Sequence, residues 1–108
     1  MPRQAIAKWW VYIVRCADGT LYTGITTELS RRIAQHNAGT ASRYTRTRLP
    51  VVLVFHVRAA NRSDALRREA AIKTLSRVAK EVLIAGARGR VKTVDRARRK
   101  GPRSASRQ

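Results

Sequence analysis

"KWWVYIVRCADGTLYTG" (residues 8–24) holds two extended runs around one turn, and the length of that turn decides what the fold brings together. "KWWVYIVRC" is rich in aromatic and β-branched side chains, which suit a pleated strand. "LYTG" is a second, shorter strand, and "ADGT" joins the two as a hairpin. A two-residue Asp18-Gly19 loop pairs Ala17 with Thr20 and sends Tyr12 and Tyr22 to opposite faces. A three-residue loop pairs Cys16 with Thr20 and Val14 with Tyr22, and puts both tyrosines on one face. Gly19 suits the left-handed position that ends the longer loop. Local turn chemistry allows either register.

Downstream, Thr26 or Thr27 is placed to cap a helix, with Glu28 suited to its first turn. Leu29 and Ile33 supply its buried stripe, Arg32 and His36 share a face four residues apart, and Gly39 stops it. "TASRYTRTRLP" (40–50) reads as a polar, basic loop. "VVLVFHV" (51–57) is the most apolar strand, which predicts an interior position in the sheet. "NRSD" (61–64) offers caps for a helix beginning near Ser63, and Ser76 caps a last one. The order β-β-α-β-α-α predicts an α+β fold, a three-stranded antiparallel sheet with helices packed on it. The domain is expected over residues 1–87, followed by a basic tail, 88–108, disordered when free.

Composition narrows the function classes. The 108 residues suffice for one domain with a modest core. No apolar run reaches the length of a membrane span, and the N-terminus has no signal-peptide pattern. The lone cysteine, Cys16, reads as a small core residue of a reduced, cytoplasmic protein. The net charge of +18 points to a polyanionic partner, nucleic acid above all. Nine of the 24 basic residues and one of the six acids fall between Arg88 and Gln108, so the part before the tail still carries a net +10.

Few residues are equipped for chemistry. The two histidines are far apart and there is no second cysteine, which argues against zinc. Asp18 suits a turn, Glu28 and Asp64 helix starts, and Glu81 and Asp95 solvated surfaces. Glu69 borders the apolar stripe of its helix with Ala65, Ile72 and Ser76. A surface pair with Lys73 is the plain explanation for it. A single carboxylate at the edge of a basic surface is also how a protein holds Mg²⁺ against a phosphate. Tyr12, Tyr22, Arg32 and His36 each have an equally plain structural explanation when taken singly.

Their arrangement is more specific. "VYIVRCADGTLYTGITTELSRRIAQHNAG" resembles the GIY-YIG nuclease family, with "VYI" (11–13) and "YTG" (22–24) standing for its two motifs. Arg32 has the spacing of the family arginine, His36 matches the histidine of many members, and Glu69 falls at the metal-binding glutamate. The chain is most similar to the small single-domain YhbQ-like branch, through "YTG", "RLPV" and "IKTLSR". Val11 and Thr23 replace residues that give the family its name.

The resemblance implies that both tyrosines face one catalytic surface, which favours the three-residue loop. It implies metal-dependent hydrolysis of DNA by Tyr12, Tyr22, Arg32, His36 and Glu69, with Glu69 holding one Mg²⁺ or Mn²⁺. Tyr12 would act as general base in its phenolate form, helped by the charge of Arg32, and Arg32 would bind the scissile phosphate. Tyr12, Tyr22 and His36 all stay open as the group that takes the proton. Arg31, Arg43, Arg46, Arg48, Lys73, Arg77 and Lys80 are the basic residues expected on nucleic acid. No element reads a base sequence, so specificity is expected to be low, with single-stranded or branched DNA favoured, RNA as a second partner, and a monomer as the acting form. The competing reading is a nucleic-acid-binding protein without nuclease activity.

Overall fold

The computed structural model describes residues 8–95, with side-chain environments for 8–87. Its elements are β1 (Trp9–Arg15), β2 (Leu21–Thr26), α1 (Leu29–Asn37), α2 (Arg43–Arg46), β3 (Val52–Ala59), α3 (Arg62–Lys73) and α4 (Arg77–Asp95). The three strands form one antiparallel sheet in the order β2-β1-β3. The fold is the expected α+β arrangement, with one short helix, α2, added inside the basic loop. Two compact units divide it, one up to Leu75 and one from Ser76. Among the described residues no helix is long and apolar enough to cross a membrane.

The hairpin takes the three-residue loop. Val14 pairs with Tyr22, Cys16 N–H donates to Thr20 O at 2.8 Å, and Gly19 sits at φ 87°. Asp18 holds the turn by accepting from Thr20 N–H at 3.0 Å and from the Thr20 hydroxyl at 2.6 Å.

The interior strand is β1, not β3. Val11, Tyr12, Ile13 and Val14 are all 2% exposed or less, so β1 is covered on both faces. In β3 the apolar run hides an alternation: Phe55 and Ala59 are buried, while Val52 is 59% exposed and His56 and Arg58 face solvent. A run of valines and leucines therefore marks one buried face plus a bulge, where the β1 register shifts between Ile13 and Val14.

Helix α1 lays Leu29 and Ile33 against Tyr12, Val14, Cys16 and Val51. Its N-cap is Glu28 rather than a threonine, and Thr26 Oγ1 accepts from Glu28 N–H just before the helix, at 3.0 Å. Gly39, at φ 82°, ends it as expected. Asn37 then ties α1 to the start of β3, accepting from Val51 N–H at 2.7 Å and donating to Val51 O at 3.1 Å. Helix α3 is capped by Asn61, whose side chain accepts from Asp64 N–H at 2.8 Å. In the second unit, Ser76 Oγ accepts from Ala79 N–H at the start of α4. Of the segment expected as a tail, residues 88–95 continue α4, and 96–108 lie outside the described residues.

Candidate active site

Tyr12 and Tyr22 share one sheet face, because Tyr22 stands opposite Val14 and Tyr12 opposite Gly24. The Tyr12 ring lies across Gly24. A Cβ added there would come within 2.5 Å of the Tyr12 hydroxyl oxygen and 2.7 Å of Cζ. The absent side chain of Gly24 is the space the phenol occupies.

From this position the Tyr12 hydroxyl reaches His36 Nε2 at 2.8 Å. His36 is 1% exposed, and its other nitrogen, Nδ1, lies 2.8 Å from the hydroxyl of Thr45, which is fully buried. Thr45 in turn meets the Ser42 hydroxyl at 3.0 Å. Two directions of donation make all of these contacts, one running from Tyr12 to Ser42 and the other from Ser42 to Tyr12. In the first, Tyr12 O–H donates to Nε2, Nδ1–H donates to Thr45 Oγ1, and Thr45 O–H donates to Ser42. That direction puts the His36 proton on Nδ1 and leaves a lone pair on Nε2 facing the phenol. Ser42 also accepts from Thr45 N–H at 3.0 Å as the N-cap of α2.

Burial pushes the Tyr12 phenol above its ordinary pKa, and the neighbouring Tyr22 and Glu69 add to the rise. Arg32 pulls the other way and is outweighed. The expectation that Arg32 would make Tyr12 a ready phenolate therefore fails for the free protein, because desolvation disfavours the charged form more than one guanidinium favours it. Burial, with the Arg32 charge second, holds His36 below its ordinary pKa and so keeps it neutral.

A second chain of contacts holds Tyr22. Its ring meets His36 edge-on at 5.3 Å between centroids and stacks on Tyr44 at 5.9 Å. Arg48 lies over the Tyr44 ring at 3.9 Å and pairs with Asp18 at 3.0 Å. Contacts of this kind are worth about 0.5–1.5 kcal/mol each beyond the area they bury. The short α2 helix thus braces both Tyr22 and His36.

The structure brings Tyr12, Tyr22 and His36 into direct contact, with Arg32 and Glu69 close enough to shift the Tyr12 titration. Glu69 also pairs with Lys73 at 3.3 Å, so the plain explanation for it holds as well. Among the described residues no three His, Cys, Asp or Glu side chains cluster. The donor set therefore fits an ion held by one carboxylate, with water and phosphate oxygens completing its shell, and does not fit an all-protein cage. Of the basic residues expected on nucleic acid, Arg31, Arg43 and Arg46 are exposed, Arg48 and Lys73 are engaged with Asp18 and Glu69, and Arg77 pairs with Glu81. Arg77 and Lys80 belong to the second unit.

A three-stranded sheet with two tyrosines, an arginine and a histidine gathered from one hairpin and the following helix defines a class. The chain belongs to the GIY-YIG family, whose catalytic-domain model matches residues 8–81, and this is a nuclease family that acts on DNA. Its near relatives carry the name UPF0213. One from Desulfotalea psychrophila is 56% identical over 84 residues, 77% of this chain and 76% of that protein. Another, from Staphylococcus haemolyticus, is 53% identical and is matched over 96% of its length by 73% of this chain. The solution NMR structure of a UPF0213 protein from Bacillus halodurans superposes with a TM-score of 0.52 at 36% identity, covering 86% of this chain and 99% of that one.

Proposed function

We propose that this protein is a divalent-ion-dependent endonuclease that cuts DNA with little sequence preference, favouring single-stranded or branched substrates. It acts as a cytoplasmic monomer, through a catalytic unit over residues 1–87 and a basic arm over 88–108. The observation that carries the reading is the 2.8 Å contact between the Tyr12 hydroxyl and Nε2 of His36, whose lowered pKa favours the neutral ring. A raised phenol is a poor base alone, but it passes a proton well. As Tyr12 takes a proton from the attacking water, its own proton moves to Nε2, and His36 ends as imidazolium beside Thr45. Arg32 binds the scissile phosphate through its planar fork and stabilises the charge that develops there. Tyr22 packs against His36 and fixes its ring. Glu69 holds one Mg²⁺ or Mn²⁺, which when bound supplies Lewis-acid stabilisation of the leaving 3′ oxygen.

The test is cleavage of single-stranded, duplex and branched DNA and of RNA, with Mg²⁺ or Mn²⁺ and with a chelator. Ion-dependent cutting of DNA is the expected result. Tight binding with no cutting of any substrate would establish the competing reading of a binding protein.

The relay also sets the pH dependence. His36 must be neutral to accept a proton, and its pKa is lowered, so the acid-side fall in cleavage should come at lower pH than for an ordinary imidazole. Thr45→Val removes the acceptor for Nδ1–H and frees the ring to take the other tautomer. Cleavage should then drop by about tenfold or more, part of the 10²–10⁴ that a positioned base contributes. The nitrogen chemical shifts of the His36 ring should report the change of tautomer. Unchanged shifts together with an unchanged rate would remove Thr45 from the relay.

A further inference from the structure

Where the end of β2 meets the start of α1, a cavity of about 210 Å³ opens beside Arg32. Trp9 and Ile25 supply its apolar part, and Thr27, Arg31, Arg32 and Gln35 its polar part. None of those four polar side chains makes a hydrogen bond or ion pair within the described residues, whereas Arg48, Arg67, Arg68 and Lys73 are all held by carboxylates. Two uncommitted guanidiniums, an amide and a hydroxyl around an indole and an isoleucine ask for a particular ligand. It is flat, has a polar edge and is attached to an anion. The cavity is smaller than the roughly 300–1,000 Å³ of sites that enclose drug-sized molecules, so it admits one ring system and not a base pair.

Arg32 belongs both to this cavity and to the catalytic centre. A phosphate held on Arg32 therefore leaves the base of its own or the next nucleotide within reach of Trp9. We propose that the cavity receives one unpaired nucleobase of the substrate strand, next to the phosphate that Arg32 binds. The inference rests on the nuclease reading and gives it a structural reason for its substrate. A base in a duplex must first be unstacked and unpaired at a cost of a few kcal/mol, whereas a base in a single strand, at a branch or in a mismatch is free to enter. Ile25 and Trp9 receive the ring face, Gln35 and Thr27 meet its edge, and Arg31 serves the neighbouring phosphate.

The test uses the full chain, without divalent ions, and reads binding alone. The probes are a ten-nucleotide oligothymidylate and a fully abasic strand with the same number of phosphates. Wild-type protein should prefer the base-bearing strand by about 5- to 150-fold, the range for one stacked base. Trp9→Ala, and the cavity-filling Thr27→Leu at a half-exposed loop position, should each bring that ratio close to one while leaving affinity for the abasic strand unchanged. Trp9→Phe should keep most of the preference. Equal binding of both strands by the wild type would overturn the proposal. So would a preference that survives both Trp9→Ala and Thr27→Leu, because the bases would then stack elsewhere. Should Trp9→Ala fail to fold, Thr27→Leu decides. Since no cleavage is read, a protein that cuts nothing can still show the preference, and a nuclease without it would overturn the cavity alone.

Discussion

Glu69→Gln is expected to abolish ion-dependent cleavage while leaving the binding of single-stranded DNA within about twofold of wild type. The amide keeps the shape of the carboxylate and removes its charge. A bound ion contributes several kcal/mol to the transition state, so its loss lowers the rate by about 10³-fold or more. Binding should hold, because one negative charge fewer on a basic surface does not weaken phosphate contacts and Lys73 is released from its pair. Stability should barely move, since a helical i,i+4 pair whose lysine is open to solvent is worth about 0.3–0.5 kcal/mol. The competing role of Glu69 makes the opposite forecast. If it acted only by pairing with Lys73 and raising Tyr12, the glutamine variant would ease Tyr12 ionisation and cut as fast as wild type or faster. Single-turnover rates at saturating substrate distinguish the two.

Gly24→Ala should be nearly as damaging without replacing any group that bears a proton or charge. The new methyl must displace the Tyr12 phenol, which is 2% exposed and anchored to His36. Overpacking of this kind costs about 1–3 kcal/mol, visible as a lower melting temperature. Moving the hydroxyl by about an ångström breaks the contact with Nε2, and a misplacement of that size lowers a rate by about 10²-fold. Adding Tyr12→Phe removes the atom nearest the methyl. The double variant should recover part of the stability and none of the activity. A Gly24→Ala protein that cuts at the wild-type rate would show that the Tyr12–His36 contact is not part of catalysis.

Much of this was legible in the chain. Local turn chemistry around Gly19 left two registers open, and the family resemblance favoured the longer loop, which the hairpin takes and which puts Tyr12 and Tyr22 on one face. Helical spacing put Arg32 and His36 on one face, and Leu29 and Ile33 emerged as the packed stripe. Other features depend on what lies across the sheet or across the chain, which local sequence does not encode. The apolarity of β3 exceeded that of β1, yet β1 is central, because burial of a strand is set by its neighbours. Burial also raised Tyr12 against the pull of Arg32, a balance that residue types alone do not reveal. Ser42, Tyr44 and Thr45 were passed over inside a polar loop. The signal was a serine three residues before a threonine, the spacing of an N-cap, though nothing local tied it to a histidine nine positions earlier.

Helix α2 is four residues long, far below the length at which a helix stands alone in water. What keeps it wound is Ser42 at its start, Thr45 on His36 and Tyr44 on Tyr22. Winding of this turn and the contact of Thr45 with the imidazole are therefore coupled. In the proposed relay only the molecules with the turn formed would carry a working proton acceptor, and the observed rate would be the intrinsic rate multiplied by that fraction. A solvent, temperature or sequence change that frays residues 43–46 would then lower cleavage without any contact with the substrate.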